Sequence, residues 1–150
     1  MSSAQGEPEL TKEDRLLAAV AHALVVASWL GAIGAAVIWA LTKEKNRYVS
    51  FQAAQAAVYQ LLGSLLIIGC WVCWTIGYTM SLIPIMVKPS AYPEPPAMFW
   101  IGLLAMLIPF GLMGLVMLYG LWVALRSFQG QPFRYLLIGP WLSSYFEEGE

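Results

Sequence analysis

Three long stretches without a single charged residue constrain this chain more than anything else in it. They run from Leu16 to Leu41, from Ala56 to Val87 and from Met98 to Leu125. A helix rises about 1.5 Å per residue, so about 20 apolar residues cross a hydrocarbon core of about 30 Å. Each run is long enough, and in lipid a segment must satisfy its backbone internally, which leaves helix as the form for isolated runs of this length. The 150 residues are 59% hydrophobic and only 11% charged. Average domains carry about 25% charge, and folded domains of this size bury only about 70% of their surface, so a bilayer is the natural solvent for the remainder.

The sequence therefore predicts an all-α integral membrane protein: three transmembrane helices and a short C-terminal interfacial segment. Residues 1–10 form a polar tail, residues 11–146 a single membrane domain, and residues 147–150 an acidic tail. The spans are expected at about 16–41, 56–86 and 98–125, and the interfacial segment at 133–146. Thr11 and Asp14 make a loose capping box at the start of the first helix. The residues ahead of the first run are polar and acidic rather than basic, so that run is expected to be retained and not cleaved as a signal. Ala27, Gly31 and Ala35 form a small-residue stripe where another helix can approach. Pro84 is expected to end or kink the second span, and Pro109 to kink the third. Gly139-Pro140 interrupts the final segment, and the prolines of Val87–Ala97 favour an extended connection.

The charged segment between the first two runs organises the rest. Lys43, Lys45 and Arg47 stop membrane entry and are candidate lipid-headgroup contacts. By the positive-inside rule this turn, 42–47, faces the cytoplasm, in the cell inner (plasma) membrane. Three spans put the N-terminus on the other side. A first run that dips in and returns near Gly31–Gly34 puts the N-terminus on the cytoplasmic side and leaves only Lys88 outside, a better fit to the charge rule. Against it, re-entrant backbone needs shielding by protein or water.

Beyond Tyr48, Gln52, Gln55 and Tyr59 fall on one helix face, with Gln60 beside them. With His22 they make a candidate polar interaction face. It serves either as glue between helices, with Gln52 or Gln55 bonded to His22, or as a polar lining for a substrate. Glue is the simpler of the two, since amides in a membrane seek partners. His22 is the sole histidine. An intramembrane ionisable group is a functional suspect, but one histidine holds no metal without further ligands. Cys70 and Cys73 sit in apolar surroundings that keep a thiol inert.

No nucleophile–base pair, carboxylate pair or ligand set stands in the spans, and all nine acids lie outside them. No catalytic activity, cofactor or metal is expected. The slight net charge of −1 implies no nucleic-acid partner. The expected partners are the lipid bilayer and either another membrane protein or further copies of the chain.

Three motifs carry a family resemblance. Leu17, Ala18, Ala19, Ala21 and His22 stand ahead of the basic turn. Val49, Phe51, Gln55 and Ala56 open the second helix. Gly130, Tyr135, Ile138 and Gly139 follow the neighbourhood of Ala124. Over about Arg15 to Gly139 the chain resembles a family of small bacterial and archaeal membrane proteins of unknown function, related to the chloroplast inner-envelope import-channel (Tic-type) membrane subunit. Gln52 stands where that family has His, and Leu136 where it has Pro. The Gly-, Ala- and Gln-rich helix surfaces and the small size favour a multi-pass structural or assembly subunit that packs against other membrane proteins; the alternative, which the resemblance implies through its plastid relatives, is a part in transport or protein translocation as an oligomer.

Overall fold

The computed structural model describes residues 10–131, 133–136 and 138–147, with the side chains of a few residues in the last stretch undescribed. The polar tail expected at the N-terminus and the acidic end fall, but for Leu10 and Glu147, outside the described residues. Every regular element among the described residues is helical, and the chain is an all-α integral membrane protein. Two helices, Arg47–Val87 and the Ala97–Phe128 stretch, are long and apolar enough to cross a membrane, and a shorter apolar helix, Trp29–Thr42, accompanies them. Only 22% and 6% of the two crossing windows are buried, whereas the core helix of a soluble protein would be mostly covered. The chain divides into two compact units, Met1–Leu61 with Met117–Glu150, and Leu62–Val116.

In the first unit, α1 (Lys12–Ala23) starts at the capping box read from the sequence. Thr11 Oγ1 accepts from the Asp14 N–H at 3.1 Å, and Asp14 Oδ2 accepts from the Thr11 N–H at 3.0 Å. The first apolar run does not continue as one helix. It tightens into a 3-10 turn at Leu24–Ala27, stops at Ser28 (φ 55°, ψ −128°), and restarts as α2 (Trp29–Thr42). At about 1.5 Å per residue, α1 reaches about 18 Å and α2 about 21 Å, each short of a hydrocarbon core of about 30 Å. The break falls ahead of Gly31–Gly34, at a residue holding a left-handed φ that side chains other than glycine's disfavour.

Asn46 ties the ends of this arrangement together. Its Oδ1 accepts from the Val49 N–H at 3.1 Å, capping α3 (Arg47–Val87), and its Nδ2 donates to Asp14 Oδ1 at 2.6 Å. The beginning of α1 thus lies beside the beginning of α3. Between them Ala21, Ala35, Ala53 and Ala56 form a buried cluster, with Ile38, Trp39 and Ala57 packed on it. Alanines are needed here because they let three helices approach closely. Of the small-residue stripe, Gly31 and Ala35 are buried, while Ala27 lies exposed in the 3-10 turn. At Gly31 a Cβ would stand 1.9 Å from the Leu24 carbonyl oxygen, so only glycine fits.

The second unit holds the rest of α3, the Pro-rich connection with a 3-10 turn at Pro89–Ala91, α4 (Ala97–Ala105) and the first part of α5 (Leu107–Phe128). Pro84 does not end α3, which runs on to Val87. It removes one ladder bond near a helix end that already lacks continuation. Pro109 does act: its ring opposes the carbonyl of Ala105, where α4 ends, and α5 restarts at Leu107. The Trp74 indole N–H donates to the Gly102 carbonyl at 2.9 Å, and Trp71 meets Phe110 edge-on at 5.1 Å. Cys70 and Cys73 are both free thiols.

Back in the first unit, α5 ends in a Schellman motif. Gly130 takes φ 75°, its N–H bonds the Ser127 carbonyl at 3.0 Å, and the Gln131 N–H bonds the Arg126 carbonyl at 3.1 Å. Gly139-Pro140 does not interrupt the last segment. Both residues lie in the first turn of α6 (Ile138–Glu147), where a proline costs no helical bond.

Candidate functional site

The polar residues expected to form one face meet in the first unit, around His22. This ring is 1% exposed. Its Nε2 lies 3.1 Å from Gln52 Oε1, and its Nδ1 lies 3.2 Å from the Tyr135 hydroxyl. An amide oxygen only accepts, so Nε2 carries the proton and Nδ1 accepts from the Tyr135 O–H. His22 stands outside the two crossing helices, and burial pushes its pKa down to about 4, leaving the ring neutral at pH 7. Burial also raises the pKa of the Tyr135 phenol, which stays protonated as the donor the arrangement needs.

The two glutamines complete the network from α3. Gln52 Nε2 donates to the Phe133 carbonyl at 3.0 Å, and Gln55 Nε2 reaches the same oxygen at 3.3 Å. Gln55 Oε1 accepts from the Tyr135 N–H at 3.0 Å. Gln52 and Gln55 are three apart on one helix face and point the same way. Between them they satisfy the backbone of an irregular segment that has no ladder of its own. Both ring nitrogens of His22 and both amide atoms of Gln52 and Gln55 are therefore committed to partners within the chain.

Tyr59 continues the face through its ring. It stacks on Tyr135 at 4.6 Å with an interplanar angle of 15°, and tilts against Tyr119 at 5.8 Å. Phe133 meets Trp122 edge-on at 5.5 Å, and the Arg126 guanidinium lies over the Trp122 ring at 4.8 Å. Gln60 lies apart from the histidine network. Its Nε2 donates at 2.8 Å to the Ala21 carbonyl, one of the acceptors left over at the end of α1. Its Oε1 is buried without a partner among the described residues. Lys43, Lys45 and Arg47 are all exposed, in and just beyond the turn between α2 and α3.

Sequence reasoning missed the Phe133 carbonyl and Tyr135. Tyr135 falls in the segment expected to be interfacial, yet it is 4% exposed and bonded on both its hydroxyl and its backbone N–H. The available signal was the spacing of Gln52 and Gln55. Two amides one turn apart present more donors and acceptors than one histidine can match, which calls for a further polar partner. No group of three or more His, Cys, Asp or Glu side chains is placed to hold a metal ion among the described residues. What the network does chemically is hold α1, α3 and the 133–135 segment together with uncharged hydrogen bonds in a poorly solvated site, where such bonds are strengthened.

No curated protein and no solved structure matches the chain. A family profile matches residues 13–142, a stretch that takes in His22, Gln52, Gln55, Tyr59 and Tyr135. The match is to a small prokaryotic membrane family, as the resemblance implied at that level, and it shows no Tic-type link. The chain belongs to the MamF/MmsF family, the magnetosome magnetite crystal formation protein family.

Proposed function

We propose that the chain is a non-catalytic structural or assembly protein of the magnetosome membrane. In this role it serves magnetite crystal formation by packing against other membrane proteins. The family match over 13–142 carries the setting. The mode of action is supported by the polar cluster, whose side-chain atoms at His22, Gln52 and Gln55 are spent on partners within the chain. A lining for substrate would keep such atoms available; glue uses them up. In the same reading Lys43, Lys45 and Arg47 contact lipid headgroups on the cytoplasmic side.

The test is deletion and re-expression in a magnetosome-forming bacterium that carries this chain. Electron microscopy after deletion shows crystals altered in size or number, restored by the wild-type chain. Cross-linking in isolated magnetosome membranes captures a membrane-protein partner. Unaltered crystals, or a chain absent from magnetosome membranes, contradict the proposal.

A further inference from the structure

Seven of the eight lysines and arginines belong to the first unit: Lys12, Arg15, Lys43, Lys45, Arg47, Arg126 and Arg134. Six of them sit near helix ends or in a loop, as topology marking would place them. Arg15 is different. It lies within the second turn of α1, is half-buried, and packs its side chain against the Cα of Gly130. A Cβ on Gly130 would fall 2.9 Å from Arg15 Nε and 3.0 Å from Cζ, so the glycine leaves room for the guanidinium. Arg15 Nε is nonetheless buried with no hydrogen-bond partner among the described residues.

The neighbours do not explain this. Asp14, the adjacent carboxylate, is engaged with the Thr11 N–H through Oδ2 and with Asn46 through Oδ1. The carbonyls at the end of α5 that an arginine would otherwise cap are taken. Leu125, Arg126 and Ser127 accept from Gln129, Gln131 and Gly130. Two further polar atoms stand unpartnered nearby. Among the described residues, the Ser127 hydroxyl, on the helix turn just before Gly130, is fully buried without a partner, and the Tyr48 hydroxyl, within electrostatic reach of Arg15, is likewise buried and unbonded. The Arg15 Nε–H and two hydroxyls, drawn from α1, α3 and the end of α5, are left as donors without an acceptor among the described residues. Buried donors without acceptors are costly, so three together call for a shared acceptor.

We propose that Arg15, Tyr48 and Ser127 form a binding site for a phosphate group. A tetrahedral anion with several acceptor oxygens matches the planar fork of an arginine and takes hydroxyl donors on its remaining oxygens. The ligand is a phospholipid headgroup or free phosphate, which share this chemistry. The site is independent of the assembly role proposed above, since it concerns what the first unit binds at its basic end.

The test uses the full chain in neutral detergent, titrated with phosphatidylglycerol in one arm and inorganic phosphate in the other. The readouts are the thermal midpoint and phosphorus-31 line width. At least one probe binds the wild type, and which one does identifies the source. Arg15→Gln weakens that binding by about tenfold, as loss of a charge-assisted bond does. Ser127→Ala and Tyr48→Phe, which preserve volume and charge, weaken it by about threefold each. Lys88→Gln removes the same charge from an exposed position in the Pro-rich connection and changes binding by less than about twofold. Binding by neither probe overturns the site. So do equal losses in Arg15→Gln and Lys88→Gln, which mark undirected charge attraction only. If Arg15→Gln shifts the midpoint without ligand, the two hydroxyl variants decide alone.

Discussion

Gln52→Leu lowers the unfolding free energy in detergent by about 3 kcal/mol, a large effect for a substitution that keeps side-chain volume. Leucine fills the space of the glutamine, so packing is preserved and the cost is polar. The His22 Nε2–H loses the acceptor it holds at 3.1 Å, and the Phe133 carbonyl keeps only the longer bond from Gln55 at 3.3 Å. A histidine that is 1% exposed has no water to turn to. Removing both partners removes the unpaired group as well. The double variant His22→Leu/Gln52→Leu is therefore more stable than the two single losses summed, by about 1–2 kcal/mol. Denaturant or thermal unfolding followed by circular dichroism measures all four corners of the cycle. A Gln52→Leu chain within 0.5 kcal/mol of wild type on the typical scale for neutral surface changes, or strict additivity, contradicts the network.

Gly31→Ala is the second large effect, and its direction opposes helix propensity. Inside a free helix, alanine is better than glycine by about 1 kcal/mol. Here the new Cβ would meet the Leu24 carbonyl oxygen at 1.9 Å and Gln60 Oε1 at 2.6 Å. The first is backbone and cannot rotate away, so the 3-10 turn must separate from α2. The second is bonded through its amide to the Ala21 carbonyl, so moving it disturbs that acceptor too. The expected destabilisation is about 3 kcal/mol or more, the upper range for overpacking. Gly111→Ala supplies the control, because nothing lies within 4 Å of a Cβ there. It is neutral or gains up to about 1 kcal/mol. The same sign for both substitutions in an unfolding titration contradicts the close approach at Gly31.

Much of this was legible in the residues, because local chemistry decides it. Thr11 and Asp14 cap α1 as their spacing requires, and the Gln52–Gln55–Tyr59 face lies where a helical period puts it. The long uncharged runs after Tyr48 and Met98 form the two helices apolar enough to cross a membrane. What escaped was set by tertiary packing. A return near Gly31–Gly34 is one of the two readings the first run allows, but nothing at Ser28 itself fixes where the helix breaks: no proline or charge stands there, and its φ is positive. Phe133 contributes a backbone carbonyl, which every residue carries, so its identity gives no hint of the role. Pro140 is tolerated because it falls in the first turn of α6, where an N–H has no helical partner, whereas Pro84 costs α3 one ladder bond in its last turn and the helix still runs on to Val87. Pro109, in the interior of an apolar run, had no such escape.

The placement of the start of α1 beside the start of α3, fixed by the Asn46–Asp14 bond at 2.6 Å, is the feature on which the first unit depends. Single cysteines at Lys12, Lys45 and Ser90, in a chain with Cys70 and Cys73 replaced by alanine, report it in native membrane. All three positions are exposed and react with a membrane-impermeant thiol reagent from whichever side they face. Lys12→Cys and Lys45→Cys are expected to label from one side, and Ser90→Cys, beyond the crossing part of α3, from the other. Labelling of Lys12→Cys and Lys45→Cys from opposite sides would mean that the first apolar run crosses the membrane, and would contradict the hairpin of α1 and α2.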